Sequence, residues 1–301
     1  MSGSALPSAR RRAALLALGA AAARAALAAA AAVTARPAGA RWGRTNYAGR
    51  PVTLLGGPAL AISATLTATL GAPAGGRAAA VVVGGLSGLV GGYDDLAGAR
   101  VEQASDKGLA GHLRALRAGR VSAGAVKVAG IVAAGAVAAL LIRRDRGKGG
   151  PAAGRATAVA DGCSFGAVVD GLLTTGLVAG SANLVNLLDL RPGRAAKAGV
   201  LATAAGLGGP AGALVAGPLG ATLAVLPADL AEQIMLGDSG ANALGALIGL
   251  RLAAAPGRGL RSGLLGAIVA LTLASEKVSF TTVIEATPGL RALDRLGRRR
   301  P

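Results

Sequence analysis

Long runs of small and apolar residues alternate with short polar segments along the whole chain. One such run, residues 121–142, is interrupted by a single charged residue, Lys127. It matches the roughly 20 apolar residues that a helix needs to cross a bilayer. A soluble domain of this length would instead alternate polar and apolar faces. The pattern therefore predicts an all-α, polytopic membrane helical bundle.

The apolar segments are numerous enough to predict about nine to ten transmembrane helices. They lie at residues 13–33, 52–70, 78–92, 121–142, 164–184, 197–208, 211–226, 240–254 and 263–275. The first segment follows Arg10-Arg11-Arg12 and resembles a signal peptide, but its length favours a transmembrane helix. No separate soluble domain is visible. We expect one integral-membrane domain over residues 1–301, with a bundle at 13–275 and a basic cytoplasmic tail at 276–301.

Composition agrees with this class and argues against a nucleic-acid partner. The chain is 52% hydrophobic and only 15% charged. Its net charge of +18 could suggest nucleic-acid binding, but aromatic residues make up 2% and no recognition fold is visible. The single cysteine, Cys163, excludes an intramolecular disulfide.

The loops predict an orientation that gathers most acidic residues on one side. With an outside N-terminus, more of the Lys and Arg fall in cytoplasmic loops, as the positive-inside rule expects. The same orientation places these acidic residues on the cytoplasmic face: Asp94, Asp95, Glu102, Asp106, Asp189, Asp229, Glu232, Asp238, Glu276, Glu285 and Asp294. Because acidic residues do little to set topology, their segregation indicates a polar site at the inner surface.

Two acidic motifs lie at predicted inner ends of spans. Asp94-Asp95 could bind a divalent cation or share a proton, although a solvated helix end would look the same. Asn183, Asn186 and Asp189 are spaced by three and fall roughly on one helix face. Amide groups can hold a sugar or a base, but they also hydrogen-bond between helices.

A third acidic motif and several basic residues complete the predicted site. Asp238, within Gly237-Asp238-Ser239-Gly240, is either an ordinary helix cap or an oxygen ligand for Mg²⁺. Lys107, Arg114 and Arg50 lie in inner loops, where they could face a diphosphate or remain solvated.

Three further charged or titratable residues receive weaker interpretations. His112, the only histidine, is more typical of a surface position than of a catalyst. Lys127 is predicted to snorkel from the inner end of its span. Asp170 is an intramembrane carboxylate near the opposite end, so we expect it not to pair with Lys127 or join the inner cluster.

Taken in order, these motifs resemble the polyprenyl-phosphate N-acetylhexosamine-1-phosphate transferase family, which includes the phospho-N-acetylmuramoyl-pentapeptide transferase. The resemblance covers about residues 44–250. Its motifs are Pro51-Val-Thr-Leu-Leu-Gly56-Gly57, Tyr93-Asp94-Asp95, Lys107-Gly108-Leu109, Asn183-x-x-Asn186-x-x-Asp189 and Met235-Leu-Gly237-Asp238-Ser-Gly240.

The resemblance implies a Mg²⁺-dependent enzyme of cell-wall or related envelope biosynthesis in the bacterial inner membrane. Such an enzyme transfers a sugar 1-phosphate from a UDP-sugar to a polyprenyl phosphate lipid and releases UMP. A homodimer is left open.

The resemblance also implies residue roles. Asp238 is similar to the metal-ligating aspartate, and Asp94, with Asp95 beside it, to the catalytic one. The implied substrate-binding residues are Asn183, Asn186, Asp189, Lys107, Arg114 and Arg50.

The chain departs from the family at two places, which keeps other functions open. Pro192 stands where the family usually has a second Asp, and the His-rich stretch of the last cytoplasmic loop is absent. A catalytically degenerate relative that binds lipid-linked or nucleotide ligands is one alternative. A small membrane transporter with Lys127 and Asp170 along its path is another.

Overall fold

The computed structural model describes residues 5–97, 117, 122–148 and 165–299, and these residues are almost entirely helical. The α-helices of the described part are α1 (Ala5–Thr34), α2 (Gly56–Gly71), α3 (Arg77–Ala97), α4 (Ala123–Lys148), α5 (Phe165–Leu188), α6 (Arg194–Ala205), α7 (Ala213–Leu230), α8 (Gly237–Ala253), α9 (Arg258–Lys277), α10 (Phe280–Ala286) and α11 (Pro288–Arg295). Short 3₁₀ helices cover Pro37–Trp42 and Ala74–Gly76.

Each predicted apolar segment corresponds to one of the helices α1–α9, but the helices differ in length. Among the described residues, six stretches are long and apolar enough to cross a membrane. They are Ser8–Thr34, Ala74–Ala97, Ala123–Asp145, Phe165–Leu188, Ala213–Leu230 and Arg258–Lys277. Helices α2, α6 and α8 have 16, 12 and 17 residues and are shorter than these six. The expectation of nine to ten full spans stays a prediction.

Helix α8 is the centre of the bundle and is buried along nearly its whole length. It packs most extensively on α3 and α5. Glycines make these approaches close: a Cβ on Gly245 would lie 2.5 Å from the Ser181 carbonyl oxygen, and one on Gly249 2.3 Å from that of Leu177. Packing through small residues is what holds helices together where lipid supplies no hydrophobic drive.

The N-terminal helix α1 is a packed part of the bundle. It contacts α2 and, more extensively, α7. A Cβ on Gly19 would lie 2.0 Å from the Gly217 carbonyl oxygen, and one on Gly220 1.9 Å from that of Leu16. Substitution at either glycine would push α1 away from α7.

A β-hairpin precedes α2, where the sequence pattern predicted the start of a span. Strands β1 (Gly43–Thr45) and β2 (Pro51–Thr53) pair antiparallel, with Arg44 opposite Val52. The Thr53 carbonyl accepts a hydrogen bond from the Met235 N–H at 2.9 Å, so the hairpin extends onto the segment that leads into α8.

The helices alternate in direction and give the bundle two polar ends. One, the carboxylate end, contains Asp94, Asp95, Asp189, Asp229 and Asp238, where α3, α5 and α7 finish and α4 and α8 begin. The opposite one, the arginine end, contains Arg11, Arg251, Arg258 and Arg261. This arrangement agrees with the predicted segregation of acidic residues. That the carboxylate end faces the cytoplasm stays a prediction.

At the arginine end, arginine side chains donate hydrogen bonds to the backbone carbonyls at the end of α2 and after α6. Arg11 donates to the Leu70 carbonyl at the end of α2 at 2.9 Å. Arg251 donates to the Gly206 and Gly208 carbonyls after α6 at 2.8 and 2.7 Å, and Arg12 donates to that of Gly209 at 2.8 Å. Backbone groups at membrane depth need such partners because lipid offers none.

Candidate functional site

The start of α8 is held by carboxylates from two other helices. The Asp95 side chain, at the end of α3, accepts from the Asp238 N–H at 2.9 Å and from the Ser239 N–H at 3.0 Å. Asp189, just after α5, accepts from the Gly237 N–H. The first N–H groups of a helix have no partner inside the helix, and carboxylates suit its positive end. Asp238 is therefore carried on a firmly anchored turn.

Gly237 is required by this anchoring. Its φ of 57° lies in the left-handed region, which glycine adopts without strain. A Cβ at this position would lie 2.8 and 2.9 Å from the two Asp95 carboxylate oxygens. No larger residue fits here while Asp95 holds the turn.

Glycines also bring neighbouring backbones close to the Asp238 turn. A Cβ on Gly91 of α3 would lie 2.3 Å from the Asp238 carbonyl oxygen, and one on Gly57 of α2 2.0 Å from that of Leu236. Gly57 and Gly91, which directly precedes Gly92 and the Tyr93-Asp94-Asp95 motif, thus contribute close packing on both sides of this turn.

Lys127, near the start of α4, links two of the predicted site residues. Its ammonium donates to an Asp94 oxygen at 2.6 Å and also to an Asp238 oxygen. The three side chains are 16%, 16% and 22% exposed, which makes the cluster nearly but not completely enclosed. Asp94 and Asp238 thus both contact the ammonium of Lys127, and the three side chains come from three different helices.

A second pair of carboxylates lies beside the α8 turn. Asp189 and Asp229 are both buried, and the Asp229 carboxylate accepts from the Gly193 N–H at 3.1 Å. One Asp189 oxygen is buried and has no hydrogen-bond partner among the described residues. Burial, and after it the charges of Asp229, Asp238 and Asp95, raise the pKa of Asp189 well above its usual range. This carboxyl therefore favours its neutral form, unless a cation or a hydrogen-bond donor approaches it.

The hairpin brings Arg50 to the edge of this acidic region. Arg50 pairs with Glu232 at 3.2 Å, and the Asn46 side-chain amide donates to the same carboxylate. Asn46 also accepts from the Ala48 and Arg50 N–H groups, which fixes the hairpin turn. Arg44 donates to the Asp95 carbonyl. The hairpin is therefore tied to both α3 and the segment before α8.

The C-terminal helices α10 and α11 dock onto the start of α6. Arg194 donates to both Asp294 oxygens, at 2.9 and 3.3 Å, and to the Thr281 hydroxyl at 2.9 Å. Arg298 donates to Asp294 at 2.6 Å and to the Pro192 carbonyl at 2.9 Å. Arg194 and Asp294 are only 5% and 8% exposed. The predicted tail is thus packed against the loop that follows Asp189.

The structure brings some predicted site residues together and leaves others apart. Asp94, Asp95, Asp189 and Asp238 meet at the carboxylate end, and Arg50 lies at its edge through Glu232. Asn186 is half-buried, whereas Asn183 is exposed on the side of α5. Lys107 and Arg114 lie outside the described residues, as does His112.

The sequence interpretation missed three charged residues of this region. Lys127 was expected to snorkel, yet it bridges Asp94 and Asp238. Its position inside an apolar run was the available signal, because a charge within a span usually has a partner. Nothing in the sequence distinguished Glu232 and Arg194 from solvated loop residues.

The carboxylates suit a divalent cation in their chemistry. Among the described residues, no three His, Cys, Asp or Glu side chains form a ready-made metal cluster. Asp94 and Asp238 nevertheless present oxygens to one cationic point, and Asp189 has an oxygen without a partner in the described part. Oxygen ligands of this kind suit Mg²⁺, and Asp238 and Asp94 are the residues that could hold it.

Asp170 belongs to the arginine end, as its position in the sequence predicted. It pairs with Arg258 at 2.9 Å and also with Arg261, both at the start of α9. It therefore has its own partners and is separate from the Lys127 cluster.

Comparison with known proteins gives no relative for this chain. No protein-family model, no curated protein sequence and no solved structure matches it.

Proposed function

We propose that the carboxylate end is the active site of a polyprenyl-phosphate N-acetylhexosamine-1-phosphate transferase in a bacterial inner membrane. In the reaction, an oxygen of the lipid phosphate attacks the phosphorus that carries the sugar in the UDP-N-acetylhexosamine. A new P–O bond forms, the P–O bond to UMP breaks, and UMP leaves. The products are a lipid diphosphate sugar and UMP.

The observation that supports this proposal is the convergence of Asp94, Lys127 and Asp238. Three distant segments meet at one end of a membrane bundle, and two of them carry the motifs on which the family resemblance depends. Random loop aspartates would be expected to lie in solvent. Here they are nearly enclosed and share one cation.

The charge balance of the cluster favours an added cation. Asp94, Asp95 and Asp238 bring three carboxylates against the single ammonium of Lys127. Enclosed like charges repel strongly, so a divalent ion would lower the free energy of this group. When bound, Mg²⁺ supplies neutralisation of the charge that develops on the leaving UMP.

Each residue of the carboxylate end has a separate role in the proposed reaction. Lys127 presents N–H donors that can hold phosphate oxygens, and it orients Asp94 and Asp238 through its two contacts. Asp94 orients the attacking lipid phosphate in this proposal. Asp95 and Asp189 position the α8 turn by accepting its N–H groups. Arg50 lies at the rim, where it can meet the nucleotide.

The test is UMP release by the purified protein in detergent. The reaction contains undecaprenyl phosphate, Mg²⁺ and one of several UDP-N-acetylhexosamines, and the matched variants are Asp238→Asn and Asp170→Asn. We expect metal-dependent release that Asp238→Asn abolishes and Asp170→Asn preserves. Full activity of Asp238→Asn would refute the assignment of the metal site.

A non-catalytic relative is the second candidate, and the loop after Asp189 favours it. Pro192 stands where the family has its second aspartate. The Arg298 side chain of the tail donates a hydrogen bond to the Pro192 backbone carbonyl. Such a protein would bind UDP-sugar or polyprenyl phosphate without releasing UMP. Equilibrium binding of a labelled UDP-sugar, measured beside the release assay, separates the two candidates.

The transporter alternative has less support. It required Lys127 and Asp170 along one path, but the two side chains pair with different partners at opposite ends of the bundle.

A further inference from the structure

A cavity at the arginine end is separate from the proposed active site. Its volume is about 400 Å³, within the range of small-molecule sites. It lies between the 3₁₀ turn Ala74–Gly76, the end of α4, the starts of α5, α7 and α9, and the end of α8. The proposed transfer reaction has no use for it.

The cavity has an apolar part and a charged part. Leu214 and Leu250 line it from inside the bundle, and Leu140, which is largely exposed, also lines it. Arg143 and Arg261 line it at the helix ends, together with Asp145 and Asp170. The change from apolar to charged therefore runs from the bundle interior toward the membrane surface. A lipid inserted in the same leaflet has this direction of polarity.

The charge around the cavity is positive in sum. Arg143 and Arg261 line the cavity, and Arg258 pairs with its Asp170, so three arginines stand against the two carboxylates Asp145 and Asp170. Asp170 is already paired with both Arg258 and Arg261, which leaves that group with an excess positive charge. Guanidinium groups bind phosphate oxygens through paired N–H donors, and basic pockets between transmembrane helices suit anionic headgroups.

We infer that this cavity is a binding site for an anionic phospholipid, with the headgroup phosphate at Arg143 and Arg261 and acyl carbons against Leu140 and Leu250. The inference does not depend on the proposed transfer reaction, because no residue of the carboxylate end takes part in it.

Gly171 offers a way to block the cavity without changing charge. It lies on the cavity wall, and a Cβ built there meets no atom within 4 Å. A leucine at this position would therefore enter the cavity space without a clash at its Cβ. Gly263 on α9 is the matched control, since a Cβ there also meets nothing and it does not line the cavity.

The experiment measures phospholipid retained by the full-length protein after purification in detergent, by native mass spectrometry with added phosphatidylglycerol. We expect Gly171→Leu to reduce bound phosphatidylglycerol roughly tenfold, and Gly263→Leu to leave it unchanged. Wild-type retention by a folded Gly171→Leu would overturn the inference.

A charge variant tests the headgroup part independently of folding at Gly171. Arg143 lines the cavity, whereas its neighbour Arg144 does not. Arg143→Gln should weaken phosphatidylglycerol binding roughly tenfold, and Arg144→Gln should not, because only the first removes a donor from the cavity.

Two further ligands test whether the site recognises the headgroup charge and the acyl chains. Phosphatidylcholine should be retained less than phosphatidylglycerol, and equal retention would overturn the headgroup assignment. Soluble glycerol phosphate should compete poorly, because it lacks the acyl carbons that the apolar wall contacts. Effective competition by glycerol phosphate would assign the cavity to a soluble anion and overturn the lipid proposal.

Discussion

The two ends of the bundle use the same ion-pair chemistry with opposite excess charge. At the carboxylate end, Lys127 lies between Asp94 and Asp238, with Asp95 beside them. At the arginine end, one carboxylate, Asp170, lies between two arginines. The first group keeps excess negative charge and the second excess positive charge. The two ends therefore differ in the sign of the charge that each would attract.

The ends also differ in exposure. The side chains of Asp94, Lys127 and Asp238 are at most 22% exposed, whereas Arg258 is 53% and Asp170 32% exposed. Ion pairs open to solvent are screened and contribute little, while enclosed ones are costly to break. Substitutions at the carboxylate end should therefore have the larger effects.

The largest expected effect is on turnover at the carboxylate end. On the proposed function, Asp238→Asn should lower the rate of UMP release at least about 100-fold, because it removes a carboxylate charge that would hold the metal ion. Lys127→Met should lower it similarly, since two carboxylates would lose their common partner. Asp170→Asn is the matched control and should change the rate less than about twofold. A comparable loss in the control would break the distinction between the ends.

The next effect is on attachment of the C-terminal helices. Asp294→Ala leaves the buried Arg194 without its carboxylate partner and should cost about 3 kcal/mol of stability. Because the helices α10 and α11 would lose their main anchor, trypsin should cleave after Arg291 and Arg295 sooner than in the wild type. Asp170→Ala, at the more exposed pair, should leave this cleavage rate unchanged. Wild-type protection in Asp294→Ala would show that the apolar contacts of α11 suffice.

A smaller effect, on stability, is expected when a glycine with a positive φ angle is replaced. Gly237 and Gly49 both have positive φ angles, 57° and 76°. Gly237→Ala should destabilise the fold by about 3 kcal/mol, because the new Cβ would both strain the backbone at positive φ and clash with the Asp95 oxygens. Gly49→Ala should cost only about 1 kcal/mol, since a Cβ there meets no atom within 4 Å. Thermal unfolding in detergent measures both, and equal shifts would contradict the role of Asp95 in holding the turn.

The smallest effect concerns pH. The pKa of Asp189 is raised in the folded protein by burial and by neighbouring carboxylates. A group with a raised folded-state pKa stabilises the fold fully below its unfolded pKa, and this contribution is lost as pH rises through the folded pKa. The wild type should therefore lose stability relative to Asp189→Asn as pH is raised from about 4 to 9. A constant difference between the two unfolding midpoints would contradict the raised pKa.

The apolar pattern predicted the helices because burial in lipid or in the bundle demands long apolar runs. It gave short segments for α6 and α8, at 197–208 and 240–254, but it placed the start of α2 at residue 52 rather than Gly56, because that start depends on the tertiary contacts of the hairpin. The hairpin itself was missed because Pro51-Val-Thr continues without a break into the apolar run of α2. Its strands are fixed by pairing with residues before α8, which are distant in sequence.

The candidate site was partly predictable for a similar reason. Adjacent aspartates and the Gly-Asp-Ser-Gly motif can be recognised locally, and both meet in the structure. The partner of Asp94 and Asp238 could not be read locally, because Lys127 joins them only when α4 packs against α3. The docking of Asp294 on Arg194 likewise joins residues about a hundred positions apart.

The short helix α6 has a consequence for the surrounding membrane. Its 12 residues rise about 18 Å, well below the roughly 30 Å of a hydrocarbon core. Leu201 and Ala205 on its outer side are exposed, and the glycine-rich turn that follows is held by Arg12 and Arg251. Lipids beside α6 must therefore tilt or shorten to meet this turn, which thins the leaflet locally. The protein should accordingly prefer thin bilayers with short acyl chains, and should deform thick ones on this flank alone.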